Sequence, residues 1–478
     1  MKYQEYKSID YAKIAAEVLS FWREEKIFEQ SISSREGKPS FTFYEGPPSA
    51  NGTPGIHHVM ARTVKDIFCR YKTLQGFQVK RKGGWDTHGL PVELQVEKEL
   101  GITKDDIGKK ITVAEYNAKC REAVMKFKSE WDDLTVKMGY WVDLDDPYIT
   151  FKKEYIESVW WLLKQFYDRD LLYKGYTIQP YSPAAGTGLS SHELNQPGCY
   201  RMVKDTSIVA QFKTIKDERS QFLFENHPEI PVYFLAWTTT PWTLPANSAL
   251  AIGERIDYLL VQTFNQYTFQ PTQVVLAKDR MAAYFNSKDR DLKLEDYQPG
   301  DKHIPYKIVA EFKGKALVEC SYEQLMPYVP LPKPAFTVVP GDFVTTEDGS
   351  GIVHISKTFG ADDYRTCEQF GIPGVLVKDE AGKDVPIVDK KGRFVKEITD
   401  FAGMFVKNYE GKDETDPDYK STDVLIAIKL KEDNKAFKVE KYEHSYPHCW
   451  RTDKPVLYYP LDSWFIRTTA FKERLVAL

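Results

Sequence analysis

The chain is 478 residues long, with 42% hydrophobic, 14% aromatic and 28% charged residues and a formal net charge of −4. At roughly 150 residues per domain, this length predicts about three domains, and the aromatic-rich composition excludes a collagen-like, disordered or disulfide-stapled chain. The slightly negative charge excludes a protein that coats itself with nucleic acid through overall basicity, so any such contact must come from local patches.

The start of the chain is polar and mixed in charge, unlike a secretory signal peptide. No apolar run reaches the roughly 18 residues that a membrane-spanning helix needs. The six cysteines are scattered without a CxxC pair, a pattern typical of reduced thiols in a cytoplasmic protein. We therefore expect a cytoplasmic multidomain protein, and composition alone says nothing more about its function.

The first strongly patterned stretch predicts a βαβ unit. Phe41–Tyr44 is a short aromatic and β-branched strand, and it ends in the Gly- and Pro-rich loop EGPPSANGTPG. A helix is predicted from near His57, and Phe77–Lys82 is predicted to form a second strand. This order implies a parallel sheet whose ligand binds at the carboxyl ends of its strands.

Four segments are expected along the chain, in an α/β fold with an inserted β-rich domain. Residues 1–40 form an N-terminal helical extension, and residues 41–200 hold the parallel-sheet domain with its connecting helices. Short β-branched segments separated by turns predict an inserted β-rich domain over residues 201–410. Residues 411–478 return to the first domain, and the polar stretch 408–420 is predicted to be a linker.

The loop before the first helix is a candidate phosphate site. Backbone N–H groups at a helix N-terminus attract anions, and His57 and His58 in the first turn could donate further hydrogen bonds to a triphosphate. The alternative is a tight turn with a capping histidine. The basic run Lys80, Arg81 and Lys82 could contact a phosphate backbone, although such runs usually form a solvated face.

The loop GGWDTHGLPVE is a second candidate site. Asp86 is predicted to lie at the carboxyl end of a parallel strand, where its carboxylate suits a substrate ammonium group. The two preceding glycines indicate close backbone approach to something. The alternative is that Asp86 caps the following helix.

Two distant segments each carry a further candidate. The string WTTTPWTLPAN places Thr238, Thr239 and Thr240 where their hydroxyls could bind a hydroxyl- or phosphate-bearing ligand. The string GSGIVHISKTFGADD places Asp363 nine residues after His354, and this pair could orient water or anchor an ammonium group. The alternatives are a strand entering a proline turn and a structural His–Asp pair.

Taken together, these strings and the later HSYPHCWR resemble isoleucyl-tRNA synthetases in order along essentially the whole chain. The resemblance implies a class I Rossmann-type catalytic domain, incomplete here and split by an inserted editing domain. It further implies ATP-dependent activation of isoleucine, transfer to tRNA(Ile), and hydrolytic editing of Val-tRNA(Ile) by the insert. ATP with Mg²⁺ is then a substrate, and a monomer is expected.

The resemblance also implies roles for individual residues. Pro47 would border the amino-acid pocket, Asp86 would hold the isoleucine ammonium group, and Gly55, His57 and His58 would bind ATP, the two histidines as catalytic residues.

In the insert, the resemblance assigns the editing role to six residues. Asp363 would bind the misacylated amino group, and His354 would complete the hydrolytic pocket. The other four would cradle the terminal adenosine and its aminoacyl group: Thr238, Thr239, Thr240 and Asn247.

The chain departs from the family pattern at several points. The family signature HxGH is replaced by Gly55-Ile56-His57-His58, and Ser356-Lys357 stands where an Ala-Pro pair is usual, which implies a changed loop or an extra cation. The paired cysteines that hold zinc in some relatives are missing, so no zinc is expected in this part. The KMSKS loop and an anticodon-binding domain are missing too, so we expect an N-terminal fragment of a protein roughly twice as long, unable to form the adenylate alone.

Three other functions stay open from the sequence. A valine-specific synthetase is disfavoured by the loop GWDTHGLPVE. A freestanding deacylase of mischarged tRNA would explain a complete editing site beside an incomplete adenylation site. A non-catalytic tRNA-binding module would tolerate the loss of Asp363.

Overall fold

The computed structural model describes residues 8–412, 416 and 418–478. The expected extension 1–40 and linker 408–420 therefore lie partly outside the described residues. The helices, in chain order, are α1 (Tyr11–Glu24), α2 (Ile27–Ser33), α3 (Ile56–Leu74), α4 (Leu90–Leu100), α5 (Val113–Val124), α6 (Lys128–Lys137), α7 (Lys153–Tyr167), α8 (Ser191–Leu194), α9 (Met281–Tyr284), α10 (Ala361–Gln369), α11 (Thr422–Glu432) and α12 (Lys472–Val476). The strands are β1 (Ser40–Tyr44), β2 (Gln78–Trp85), β3 (Asp143–Ile149), β4 (Leu172–Ser182), β5 (Thr187–Gly188), β6 (Tyr200–Lys213), β7 (Val232–Thr238), β8 (Ala249–Ile252), β9 (Asp257–Phe264), β10 (Pro271–Ala277), β11 (Lys307–Lys313), β12 (Thr337–Pro340), β13 (Ile352–Ile355), β14 (Leu376–Lys378), β15 (Asp384–Pro386), β16 (Ala436–Pro447) and β17 (Leu457–Ile466).

The chain forms two compact units. Unit 1 holds the residues up to Leu172 together with Ile466–Leu478, and unit 2 holds Tyr173–Phe465. Unit 1 is mainly helical around a small sheet, whereas unit 2 is built on a large sheet.

The sheet of unit 1 has three parallel strands in the order β1-β2-β3. Phe41 pairs with Val79, and α3 connects the two strands. The predicted βαβ unit is therefore confirmed, with the second strand extending to Trp85 rather than ending at Lys82. The carboxyl ends of all three strands meet at one edge.

Helix α3 packs with an unexpected face. Its buried residues are Arg62, Cys69 and Thr73, two of which are polar. Seven of its apolar side chains are at least half exposed: Ile56, Met60, Val64, Ile67, Phe68, Tyr71 and Leu74. The spacing that predicts this helix therefore identifies apolar side chains that the described part of the chain leaves largely exposed.

A buried ion network explains the polar inner side of α3. Arg81 on β2 is 2% exposed, and its guanidinium donates to Asp66 Oδ1 at 3.0 Å and to Thr73 Oγ1 at 3.0 Å. Asp66 also accepts from Arg70 at 2.5 Å. Since a buried charge needs a partner, these contacts fix α3 against the sheet. With this burial, Arg81 neither contacts a phosphate backbone nor forms part of a solvated face, the two interpretations of the basic run.

Unit 2 is built on a mixed nine-stranded sheet, which confirms its predicted β-rich character. The order runs β11-β9-β10-β7-β13-β8-β12, and β6 pairs with both β7 and β16. Strand β16 pairs with β6 over most of its length, from Ala436 opposite Ala210 to Pro447 opposite Tyr200. It belongs to the stretch that the sequence analysis assigns to the returning segment.

The core of unit 2 lies on both faces of this sheet. Strand β7 is almost wholly buried, and its Phe234 is fully inaccessible, as are Phe212 on β6 and Leu250 on β8. The sheet therefore rests on β-branched, aliphatic and aromatic side chains from strands far apart in the sequence.

Three further properties hold for the described part of the chain. None of its helices has the length and apolarity to span a bilayer. Its six cysteines are free thiols. It contains no group of three or more His, Cys, Asp or Glu side chains that could hold a metal ion.

Phe234→Ala should destabilise unit 2 by about 3–5 kcal/mol, because it removes a fully buried ring and leaves a cavity at the centre of the sheet. Urea unfolding followed by circular dichroism measures this change. Met202→Ala, at a side chain that is 63% exposed, should cost well under about 1 kcal/mol. Equal costs for the two variants would contradict this description of the core.

Candidate active sites

The first site lies at the carboxyl edge of the parallel sheet in unit 1. The Asp86 amide donates to the Pro48 carbonyl at 2.9 Å, which joins the loop after β2 to the loop after β1. The Thr87 amide donates to Thr150 Oγ1 at 3.0 Å, which adds the end of β3. Pro47, beside Pro48 in the first loop, is half-buried. The fold thus brings Pro47 and Asp86 to one edge.

Asp86 presents its carboxylate to solvent. Its Oδ1 accepts the His88 amide at 3.4 Å, and the N-cap of α4 is Gly89, so Asp86 does not cap that helix. The preceding Gly84 lies against β3, because a Cβ there would overlap the Tyr148 ring. The close approach predicted from this glycine is therefore an approach to a neighbouring strand.

His58 lies in the first turn of α3 and caps this helix with its side chain. Its Nδ1 accepts the Gly55 amide at 2.9 Å, as in the alternative interpretation of this turn. Because Nδ1 is an acceptor, the neutral ring carries its proton on Nε2 and keeps one N–H for a ligand. Burial, then the neighbouring His57 and Arg62, lower the pKa of His58 and favour this neutral form.

The ring of His57 occupies the space beside Gly55. The centroids of His57 and His58 are 3.8 Å apart, and a Cβ on Gly55 would lie 2.9 Å from His57 Cε1. A larger residue at position 55 would therefore displace this imidazole. In this variant signature, the position of the His57 ring thus depends on the absence of a side chain at Gly55.

A buried carboxylate under the same loop was not predicted from the sequence. Glu45 is 3% exposed and accepts from Lys65 and from the hydroxyl of Tyr140. Burial and this hydrogen bond to Glu45 raise the pKa of Tyr140 far above its usual range. The position of Glu45 directly after β1 could have indicated it as a site residue, because the carboxyl end of a strand in a parallel sheet lies at the ligand-binding edge.

The second site is a cavity of about 350 Å³ in unit 2. It brings together residues from two separate stretches, 237–243 and 343–363, and five of the six predicted editing residues line it. These are Thr238, Thr239, Thr240, His354 and Asp363. The remaining wall includes Trp237, Thr243, Phe343, Ser356 and Phe359.

His354 is held as a neutral ring by two neighbours. The Thr243 hydroxyl donates to the Thr240 carbonyl at 2.8 Å, so it accepts from His354 Nε2 at 3.0 Å. The Asn247 amide donates to His354 Nδ1 at 2.9 Å. Both ring nitrogens are thus engaged, and burial lowers the pKa of His354 to about 3. The ring shapes the cavity and is not placed to act as a base.

Asn247 lies behind His354 rather than on the cavity wall. It is 2% exposed, and its Oδ1 accepts the hydroxyl of buried Tyr322 at 2.7 Å. Its Nδ2 also donates to the Ala249 carbonyl at 2.9 Å. Asn247 therefore orients the imidazole, and the contacts of Thr243 and Tyr322 are part of the site that the sequence analysis missed. Thr243 lies in the string WTTTPWTLPAN, whereas nothing in the sequence indicates a role for Tyr322.

Asp363 sits in the first turn of α10. Its Oδ2 accepts the Ser356 amide at 2.8 Å. Burial raises the pKa of Asp363 to about 7, although the hydrogen bond to Ser356 opposes this shift. Near neutral pH this carboxyl group can therefore change its charge.

Lys357 does not bring an extra cation into the cavity. Its ammonium group pairs with Glu368 at 2.7 Å and donates to the Ile372 carbonyl at 2.9 Å. The pair Ser356-Lys357 instead ties the loop before α10 to the far end of that helix. The loop is therefore anchored by an ion pair.

Comparison with known proteins decides the family. The family model described as "tRNA synthetases class I (I, L, M and V)" matches residues 17–478. The chain belongs to this family. Three curated isoleucine–tRNA ligases illustrate the similarity: those of Cytophaga hutchinsonii (67% identity), Bacteroides fragilis (59%) and Clostridium acetobutylicum (41%).

The alignments with these class I relatives cover nearly all of this chain but less than half of each relative. The alignments take in 100%, 100% and 98% of this chain but only 43%, 43% and 40% of the three relatives. The chain thus spans well under half the length of the curated relatives it matches. A solved structure, the P. knowlesi cytosolic leucyl-tRNA synthetase editing domain, aligns with 50% of this chain and 97% of its own at 12% identity and a TM-score of 0.34.

The buried imidazole of this class I synthetase chain should stay neutral from about pH 5 to pH 8, because the pKa of His354 is lowered to about 3. Its proton should reside on Nε2 throughout. Nitrogen-15 NMR of histidine-labelled protein, assigned with a His354→Gln variant, measures both properties. Since the unfolded ring titrates near 6.5, this group removes stability as the pH falls below that value. Titration of His354 between pH 6 and 7 would contradict the hydrogen-bond pattern.

Proposed function

We propose that the complete protein is a cytoplasmic, monomeric isoleucine–tRNA ligase. It activates isoleucine with ATP and Mg²⁺, transfers it to tRNA(Ile), and hydrolyses Val-tRNA(Ile) in unit 2. Support comes from the identity of 67% and 59% to proteins of that name over the whole chain. The observation that carries the proposal is the cavity in which distant Thr, His and Asp residues meet.

In unit 1 we assign amino-acid and ATP binding to the edge described above. The exposed carboxylate of Asp86 holds the isoleucine ammonium group by a charge-assisted hydrogen bond, beside Pro47. The ATP phosphates lie at the N-terminus of α3, where the helix dipole and the free Nε2–H of His58 attract negative charge. The His57 ring, packed over Gly55, takes the place of the missing first histidine of the signature.

We assign the hydrolysis of the mischarged ester to unit 2. Isoleucine exceeds valine by one methylene, which is worth about 1–3 kcal/mol or 10–200-fold; this pair is the established example of that limit. A second, smaller site therefore supplies the missing discrimination. Asp363 binds the ammonium group of the valyl ester, the hydroxyls of Thr238, Thr239 and Thr240 bind the terminal adenosine, and the ring of His354 limits the cavity size.

The domain assignment follows from these roles. Residues 41–200 supply the first half of the catalytic domain, residues 201–410 the editing domain, and residues 411–478 the returning segment, after an N-terminal extension at 1–40. The second candidate is a freestanding deacylase of mischarged tRNA, which the completeness of the unit 2 cavity favours. Against it stands the exposed Asp86 at the carboxyl edge of the unit 1 sheet, which a pure deacylase does not use.

The 478-residue chain should release valine from Val-tRNA(Ile) and leave Ile-tRNA(Ile) intact. Asp363→Ala should abolish that release, because the ammonium group loses its carboxylate partner. The wild-type rate should rise with pH through about 7, where Asp363 becomes charged. Filter assays with radiolabelled aminoacyl-tRNA measure each rate.

The matched control is Asp362→Ala, since Asp362 is exposed on the same helix and pairs with Arg365. This variant should hydrolyse normally. Normal hydrolysis by Asp363→Ala would remove the carboxylate from the site, and equal release of both amino acids would contradict the size discrimination.

In the full-length protein, Asp86→Ala should reduce isoleucine-dependent ATP–pyrophosphate exchange by at least about 100-fold. Deacylation of Val-tRNA(Ile) should persist, because that site lies in unit 2. The control is Asp133→Ala on α6, at an exposed residue that pairs with Lys137. Unchanged exchange by the Asp86 variant would show that another group binds the amino acid.

A further inference from the structure

The turn that carries Thr243 is capped from a distant part of the chain. Pro241–Ala246 forms a short 3₁₀ helix, and the side chain of its own N-cap, Thr240, makes no capping hydrogen bond. The Trp242 amide instead donates to Asp423 Oδ1 at 2.9 Å. Asp423 lies on α11, 181 residues further along the chain.

Asp423 is itself fixed by a buried ion cluster. It is 5% exposed, and its Oδ2 accepts the ammonium group of Lys407 at 3.1 Å. The same ammonium group donates to Asp205 at 2.8 Å, and Asp205 contacts His444 at 3.2 Å. One carboxylate of this cluster therefore reaches the threonine turn, while the other faces away from it.

We propose that Asp423 is a positioning residue for the deacylation site of unit 2. Its carboxylate fixes the Trp242 amide, the turn then fixes the hydroxyl of Thr243, and that hydroxyl fixes Nε2 of His354. The inference rests on the proposed editing function and assigns to it a residue that touches no part of the cavity.

The physical reason is the lack of any other partner for this amide. The first N–H groups of a helix have no acceptor within the helix, and Trp242 is buried away from water. A charged acceptor is the strongest available, and its position at a helix N-terminus adds a favourable interaction with the helix dipole. Without it the turn shifts to find another partner, and Thr243 moves with it.

Three substitutions separate the acceptor from the charge. Asp423→Ala removes both, Asp423→Asn keeps an oxygen in place for the Trp242 amide, and Asp423→Glu keeps the charge but moves the oxygens by one methylene. The matched control is Asp205→Asn, which alters the same cluster without touching the turn.

The assay is hydrolysis of Val-tRNA(Ile) and of Ile-tRNA(Ile) by the full 478-residue chain. Asp423→Ala and Asp423→Glu should reduce the preference for Val-tRNA(Ile) over Ile-tRNA(Ile) at least about tenfold, because the imidazole that limits the size of the cavity shifts. Asp423→Asn and Asp205→Asn should stay within about threefold of the wild type. If Asp423→Ala fails to fold, the opposite behaviour of the Glu and Asn variants decides the question.

The Nε2–H resonance of His354 gives a readout that does not depend on activity. It should move in Asp423→Ala and Asp423→Glu and stay in place in Asp205→Asn. A wild-type preference in Asp423→Glu, or an equal loss in Asp205→Asn, would overturn the inference. If the wild-type chain hydrolyses nothing, the proposed function fails instead, and an unmoved resonance in both Asp423→Ala and Asp423→Glu would still overturn the positioning role.

Discussion

The cavity of unit 2 depends on one imidazole that donates to a hydroxyl and accepts from an amide. The hydroxyl of Thr243 is directed by its own bond to a backbone carbonyl, and the amide of Asn247 by the hydroxyl of Tyr322. These two directed partners admit only the neutral Nε2–H form of His354. A ring held in this way forms a rigid wall of the cavity.

Unit 1 is organised by buried charges in a comparable way. The ion pair of Arg81 with Asp66 fixes α3 to the sheet, and Glu45 with Tyr140 supports the loop that follows β1. Glu45 is buried with its partners directly after β1, whereas the carboxylate of Asp86 stands exposed directly after β2. The network thus decides which acidic side chain is free to meet a ligand.

The two carboxylates assigned to substrate differ in environment. Asp86 is exposed on its loop, whereas burial raises the pKa of Asp363 to about 7. Such different surroundings suit different tasks, even where each carboxylate is proposed to bind an ammonium group. With its pKa of about 7, the carboxyl group of Asp363 changes its charge in the neutral range.

The sequence by itself determined the βαβ order, the placement of Asp86 at a strand end, and the grouping of the threonine string with His354 and Asp363. These features depend on local periodicity, on turn residues and on strings that resemble a family. Only the tertiary structure decided that Asn247 lies behind the imidazole and that Tyr322 and Asp423 support the site. Those contacts join residues 75 and 181 positions apart, and periodicity carries no information at such separations. The same limit explains α3, because spacing shows which apolar residues share a face, and only packing shows whether that face is covered.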